Sequence, residues 1–337
     1  MSVYSFRDAP LRVYGAPFFC RDGSMKRLPA ELACRMFRGV TEWGLDTRSP
    51  GARLAFRTDA AEIRFHMELE RISPDIGMSL YAAQSADVFI GGRYRGQIVP
   101  RDMYREKDGD AVFETDGTET DVLVFLPRNE PVKELTVTIP DQARITAPRP
   151  YTYSVPVLFY GSSITEGAHA GKPSNAWPCL LSRWLDFDFI NFGLSGSARG
   201  ELFVADYLNT FEKSVFVMDY DYNAPDSEYL KKTHEPFFLR IREKDPDIPI
   251  LVLSGPWLDR YGEEAVKRRE IIQRTVENAE KRGDKMTRFI DGGAFFGNGD
   301  RDICSADRIH PNDLGMLYIA EQMMPYMKDA LAATKCK

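Results

Sequence analysis

The sequence predicts an α/β fold with a parallel sheet, preceded by a separate β-sandwich. Two observations carry this. Up to about residue 150, apolar and polar side chains alternate with period two and helical signals are few. Beyond it, short runs that are apolar on both faces alternate with helical patterns. The first rhythm belongs to half-buried strands, the second to strands enclosed between helix layers.

In the first half, strands are expected at 52–57, 61–69, 87–91, 121–126 and 133–139. The stretch AEIRFHMEL, 61–69, sends Ile63, Phe65, Met67 and Leu69 to one face and Glu62, Arg64, His66 and Glu68 to the other. Leu135, Val137 and Ile139 repeat the pattern. Gly91-Gly92, Asp108-Gly109-Asp110 and Asp116-Gly117 read as turns between strands, as in a sandwich. Pro148 and Pro150 make a stiff connector, so the boundary is expected near 150, dividing the chain into 1–150 and 151–337. After it, strands at 155–160, 188–192, 214–219, 249–254 and 287–291 alternate with helices at 175–185, 226–244, 262–282 and 312–330. The last helix carries Leu317, Ala320, Met324 and Met327 at helical spacing. The simplest reading is a five-stranded α/β sandwich.

A chain of 337 residues, 43% apolar and 28% charged, can fold as two domains without a disulfide or metal staple. A net charge of −6 and the lack of a Lys/Arg run argue against a nucleic-acid partner. No stretch approaches the ~20 apolar residues of a membrane span, and MSVYSFRDAPLRVYG has no apolar signal core. The five cysteines are scattered with no CxxC pair. Free thiols in a bacterial-type cytoplasm are therefore expected; a leader lost from the natural chain would make the protein a secreted one. No Gly-x-Gly-x-x-Gly or Walker-type loop follows a strand, so no nucleotide cofactor is expected.

In open α/β sheets, ligands sit beyond the carboxyl ends of the strands. The stretch FYGSSITEG, 159–167, ends a strand with two adjacent hydroxyls just before a helix. A serine there is a candidate nucleophile that needs a base and an oxyanion site. Adjacent side chains point apart, so only one of Ser162 and Ser163 can meet the base. His310, in SADRIHPNDLG after the last strand region, is that base. Asp307, three residues earlier, can reach its Nδ1–H and leave Nε2 for the serine. Gly196, in NFGLSGSA after the second strand, can offer a backbone N–H. Asn223, in DYDYNAP after the third, can offer its side-chain amide.

This pattern resembles the SGNH hydrolases, also called GDSL esterases. The first block, usually Gly-Asp-Ser-[Leu/Ile]-Thr, reads Gly161-Ser162-Ser163-Ile164-Thr165. Asn191 to Gly196 matches Asn-x-x-x-x-Gly, and Asp307 to Pro311 matches Asp-x-x-His-Pro. The third block, Gly-x-Asn-Asp, is eroded to Asp221-Tyr222-Asn223-Ala224. The resemblance covers roughly residues 151–330 and implies a flavodoxin-like three-layer α/β/α domain. It makes Ser163 the nucleophile, His310 the base and Asp307 its orienter, with Ser163, Gly196 and Asn223 around the oxyanion and no metal or cofactor. Ser162 stands where the family has aspartate, a helper of loop geometry. The first block together with AHAGKPSNAWP, 168–178, resembles a bacterial subgroup in which a β-sandwich precedes the hydrolase, and the same arrangement is similar to carbohydrate acetylesterases in which a jelly-roll domain does so. That resemblance implies short-chain, acetyl-type esters of a small molecule or glycan; from charge and the lack of an apolar span no nucleic-acid or membrane partner is expected, and the oligomeric state is left open.

Other readings stand beside this one. Asp307 can cap a surface loop, and Asn223 can be a plain turn residue. His66 faces outward on a strand, His234 belongs to a helix as a structural residue, and His169 either lines the pocket or does not. Trp177, Trp257 and Tyr222 are read as an aromatic wall or as core. Asp219, Asp221 and Asp226 lack a nearby histidine set with ligand spacing, so no metal is expected there. Two functional alternatives are a catalytically degenerate carbohydrate-binding protein and a metal-dependent phosphoesterase.

Overall fold

The computed structural model describes residues 1–74, 77–256, 262–297 and 301–334. Its N-terminal strands are β1 (Ser2–Ser5), β2 (Arg12–Tyr14), β3 (Arg53–Thr58), β4 (Glu62–Leu69), β5 (Ala86–Ile90), β6 (Arg93–Ile98), β7 (Asp108–Glu114), β8 (Thr120–Phe125), β9 (Val132–Ile139) and β10 (Ile145–Thr146). They form two antiparallel sheets, β1-β9-β4-β7 and β10-β3-β8-β5-β6, with β2 added on β3. The alternation decides which faces meet. In the first sheet Phe65 lies opposite Val137 and Met67 opposite Leu135, all buried. They close on Leu54, Phe56, Val88, Val122 and Val124 of the second sheet, forming one core. His66, from the opposite face of β4, sits at the surface with Nδ1 2.8 Å from Asp110.

The parallel sheet is β11 (Tyr153–Gly161), β12 (Phe187–Gly193), β13 (Val215–Asp219), β14 (Ile250–Leu253) and β15 (Thr287–Ile290), in the order β12-β11-β13-β14-β15. With each strand numbered by its turn in the chain, that is 2-1-3-4-5, the flavodoxin-like order. Helices Trp177–Leu185 and Asp313–Thr334 cover one face. Leu202–Leu208, Ser227–Lys244 and Glu263–Lys281 cover the other. No helix among the described residues is long and apolar enough to cross a membrane.

Three differences from the sequence reading have physical causes. Asp108-Gly109-Asp110, read as a turn, lies inside β7. There Asp108 and Asp110 are both paired with Arg101, and a Cβ on Gly109 would stand 1.9 Å from the Val99 carbonyl oxygen, so only glycine lets that backbone pass. The helix at 202–208 is seven residues long, too short for its period to stand out. Residues 15–52 carry only the short helices Phe19–Asp22, Ala30–Ala33 and Gly39–Glu42; Ala16, Phe19, Met25 and Ala52 still pack in the sandwich core, but the middle of the segment leaves it. Leu28, Leu32, Met36, Val40 and Leu45 join Leu158, Tyr160 and Phe192 in the core of the parallel sheet. Buried aliphatic side chains of this size are worth about 1.5–3 kcal/mol each, so this segment is part of the α/β layer's foundation.

Candidate active site

The site forms at the carboxyl edge of the parallel sheet. β11 ends at Gly161, where a Cβ would stand 2.5 Å from the Asp219 carbonyl oxygen. Ser162 then caps the helical turn Ser163–Glu166, its hydroxyl accepting from the Ile164 N–H at 3.2 Å. The two hydroxyls part here. Ser162 is fully buried as a cap, whereas Ser163 lines an open cavity.

His310 meets Ser163. Its Nε2 lies 2.8 Å from Ser163 Oγ, and its Nδ1 lies 2.6 Å from Asp307 Oδ2. The other Asp307 oxygen accepts the backbone N–H groups of Ile309 and His310, each at 2.8 Å, and the Ser305 hydroxyl at 3.0 Å. Arg308 adopts a left-handed φ of 62°, which tightens the turn between acid and base. Partial burial works to raise the Asp307 carboxyl, but the hydrogen bonds from His310 and Ile309 outweigh it and hold the group well below the usual carboxylate range.

The second and third blocks supply scaffolding and donors. Asn191 is not in the cavity. Its amide donates to the Thr165 carbonyl at 2.8 Å and its Oδ1 accepts from the Gly193 N–H at 2.7 Å, pinning β12 to the turn Ser163–Glu166. Gly196 lines the cavity with φ +64°. Asn223, on the turn Asp221–Asn223, lines it too. Its Nδ2 donates one proton to the Leu194 carbonyl at 2.8 Å, which fixes the amide's orientation and leaves its second N–H.

Behind Ser163 sits a buried charge cluster. Glu166, fully buried, pairs with Arg27 at 3.3 Å, Arg48 at 3.7 Å and Arg128 at 3.8 Å. Its other oxygen accepts the Ser195 N–H at 3.0 Å and the Ser195 hydroxyl. Burial alone would raise this carboxyl; the three guanidiniums and the Ser195 hydroxyl overcome it and lower it to about 2. Arg27 also donates to the carbonyls of Asn191 and Gly193. Ser195 immediately precedes Gly196, so arginines from the N-terminal half hold the loop that carries the candidate oxyanion donor.

The acidic tract is used internally. Asp219 accepts the Thr165 hydroxyl at 2.6 Å, and burial, reinforced by Asp221, pushes it up to about 7. Asp221, accepting the Gly255 N–H at 2.8 Å, is pushed up to about 6 by burial, against the pull of that bond and of Arg268. Asp226 caps helix Ser227–Lys244 through the Tyr229 N–H at 2.7 Å. Among the described residues, the ligand-type atoms that gather are those of His169, Asp307 and His310, all within 4.8 Å of one another.

The remaining candidates divide. Tyr222 lines the cavity. His169 stands beside it instead, its ring 4.7 Å from that of His310 and its Nε2 4.0 Å from Asp307. Trp177 is no wall. It is fully buried, edge-on to Phe159 at 5.2 Å, because the first turn of its helix faces the sheet. His234 is buried and bonded to Thr275 at 2.8 Å, and burial lowers it to about 3. Trp257 lies outside the described residues. Sequence reasoning missed the far side of the cavity, a space of about 830 Å³. That wall includes Trp43, Arg48, Arg71, Asn129 and Glu130, all on irregular segments without a period or motif to mark them.

Comparison with known proteins agrees with this architecture. Residues 154–328 match the GDSL-like lipase/acylhydrolase family, and residues 2–145 match a family described as the N-terminus of SGNH-hydrolase-type esterases. A Bacteroides ovatus protein described as GDSL-like lipase is 24% identical, with 98% of each chain covered and a TM-score of 0.83. A salicylyl-acyltransferase from a tetracycline biosynthetic pathway is 22% identical, with 97% of each chain covered and a TM-score of 0.79. A family two carbohydrate esterase from Clostridium thermocellum is 14% identical over 84% of this chain and 94% of its own, with a TM-score of 0.63. No curated protein matches the sequence significantly. A flavodoxin-like sheet with the family's blocks at its strand ends, matched by the family model over more than half its length, makes this chain a member of the GDSL-like lipase/acylhydrolase family.

Proposed function

We propose that the protein is a serine esterase acting on short-chain, acetyl-type esters, with a carbohydrate among the candidate alcohols. The observation that carries this reading is the continuous chain from Ser163 Oγ through His310 to Asp307, at 2.8 Å and 2.6 Å. His310 takes the Ser163 proton as Oγ attacks the ester carbonyl, while Asp307 holds the imidazole in the required tautomer and stabilises the imidazolium. The Ser163 and Gly196 backbone N–H groups and the Asn223 amide take the developing oxyanion. His310 then protonates the departing alcohol. Water, activated by the same imidazole, releases the acid and restores Ser163. The acetyl preference is motivated by the carbohydrate-esterase likeness, and a chain-length series peaking at eight carbons or more would reject it.

The test is hydrolysis of p-nitrophenyl acetate by the wild type, Ser163→Ala and Ser162→Ala, with and without EDTA. Turnover lost in Ser163→Ala alone and indifferent to EDTA is the expected result. Activity abolished by EDTA would instead favour a metal held by His169, Asp307 and His310. Equal background rates in all three proteins would leave the degenerate binding reading.

A further inference from the structure

His169 stands against the Ser163–His310–Asp307 chain, yet the proposed esterase chemistry gives it nothing to do. The backbone leaves the turn Ser163–Glu166 through Gly167 at φ 94°, and the Ala168 N–H donates back to the Ser163 carbonyl at 2.9 Å. His169 is itself left-handed, at φ 66°, which is uncommon for a residue with a side chain. These two reversals fold the loop back and lay the His169 ring 4.7 Å from that of His310, the planes tilted by 37°. Its Nε2 lies 4.0 Å from Asp307 Oδ2, the same oxygen that stands 2.6 Å from His310 Nδ1. One carboxylate oxygen thus lies between the nitrogens of two imidazoles. The group is open to solvent: the side chains of His169, His310 and Asp307 are 15%, 20% and 36% exposed.

We propose that His169 Nε2, Asp307 Oδ2 and His310 Nδ1 form an inhibitory zinc site, through which the metal switches the enzyme off. The inhibition rests on the serine-esterase reading; the site itself does not. Two imidazoles and a carboxylate are a donor set that zinc accepts, with a fourth position left to water. Tetrahedral zinc holds neighbouring ligand atoms about 3.3–3.5 Å apart. Closing the 4.0 Å gap and opening the 2.6 Å one to that spacing moves each side chain by less than about 1 Å. Magnesium and calcium prefer six or more oxygen ligands, so the site discriminates against them. On binding, the Nδ1 proton of His310 leaves to solvent and the nitrogen lone pair goes to the metal: one Zn²⁺ enters and one H⁺ departs. His310 is then a ligand of a cation, and its Nε2 is too weak a base to take the Ser163 proton. Asp307, bound to the same ion, no longer stabilises an imidazolium. A histidine that merely packed against His310 would confer no such sensitivity.

The test uses the full chain with Cys20, Cys34 and Cys336 changed to Ser, because the exposed thiols of Cys20 and Cys34 also take zinc. His169→Asn is the informative variant, since asparagine tolerates the left-handed backbone but brings no imidazole. His169→Gln replaces it if the melting temperature of the metal-free variant falls. Calorimetric titration with zinc chloride is expected to show one zinc per chain, bound about tenfold or more weakly once His169 is changed. In p-nitrophenyl acetate hydrolysis, saturating zinc should lower the rate of the metal-free protein about tenfold or more, and EDTA should restore it. Magnesium at the same concentration should leave the rate unchanged. Each protein is compared with its own zinc-free rate, so a change in basal turnover cancels; half-inhibition of the variant should need about tenfold more zinc. Zinc that does not bind, binds equally well without His169, or raises turnover would overturn the proposal. The titration needs no turnover: zinc held through His169 in a protein that hydrolyses no ester would support the site and sink the esterase reading.

Discussion

The two walls of the active-site cavity are made in opposite ways. One is assembled from strand ends. Ser163, Gly196, Asn223 and His310 each follow a different parallel strand, so the sheet's twist and spacing bring them together with little further instruction. The other wall is assembled from irregular chain. Trp43, Arg71 and Asn129 come from three separated loops, and only tertiary packing gathers them. On the proposed reading, the groups that must be positioned to within a fraction of an ångström sit on the rigid frame, and the facing wall sits on segments free to vary.

Substitutions can break the first wall most severely. Ser163→Ala is expected to lower turnover by about 10⁴-fold or more, measured with any ester the wild type accepts. Its neighbour should behave in the opposite sense: Ser162→Ala should keep turnover and lose about 1 kcal/mol of stability, the usual worth of a helix cap, in urea denaturation. Should Ser162→Ala be the inactive one, the division between cap and nucleophile is wrong.

The link between the walls is the next point of failure. Glu166→Gln leaves the buried guanidiniums of Arg27 and Arg128 and the partly exposed one of Arg48 around a neutral side chain. Removing one partner of a buried pair typically costs about 3–5 kcal/mol, and both halves should lose it together in one denaturation transition. Two transitions, with the sandwich unaffected, would show that the cluster does not couple the halves.

Asn223→Ala tests the donor side alone. A lost oxyanion donor is worth about 3 kcal/mol, roughly 100-fold in kcat, with KM little changed. Full turnover on the natural substrate would remove Asn223 from the oxyanion site.

The smallest effect concerns pH. Asp219 is raised in the folded protein to about 7, so the native state keeps a proton that the unfolded chain releases above about pH 4. Its contribution therefore favours folding at low pH and fades as pH rises through 7. Asp219→Asn should flatten the decline in stability between pH 5 and pH 8, read from urea midpoints at each pH. Asp307 has the opposite sign: its lowered carboxyl contributes stability above about pH 4 that is lost on further acidification.

The legibility of the sequence follows the same division. Period two in AEIRFHMEL, repeated at Leu135, Val137 and Ile139, exposes the sandwich because each strand has one wet face. The doubly buried strands stand out as apolar runs, and the blocks at their ends are short and ordered. What stays hidden depends on distance in sequence. Glu166 lies within the nucleophile turn in plain view, but its partners Arg27, Arg48 and Arg128 are more than thirty residues away or across the cavity, and nothing local marks them. Gly109 looks like a turn residue because the close approach of Val99 has no local signature. Trp177 looks like a binding aromatic because the sequence does not say which face of its helix meets the sheet.

The excursion of residues 15–52 also bears on how the chain comes off the ribosome. Leu28, Leu32, Met36, Val40 and Leu45 are made early, yet their packing partners reach as far as Phe192. The sandwich strands that follow can close first, since their partners all lie before residue 147. The excursion must wait, apolar and unpaired, while a further stretch of chain is translated. Nascent chains halted before Phe192 should therefore expose a greasy loop beside a finished sandwich and be bound by chaperones, and protection should appear abruptly once β12 has emerged.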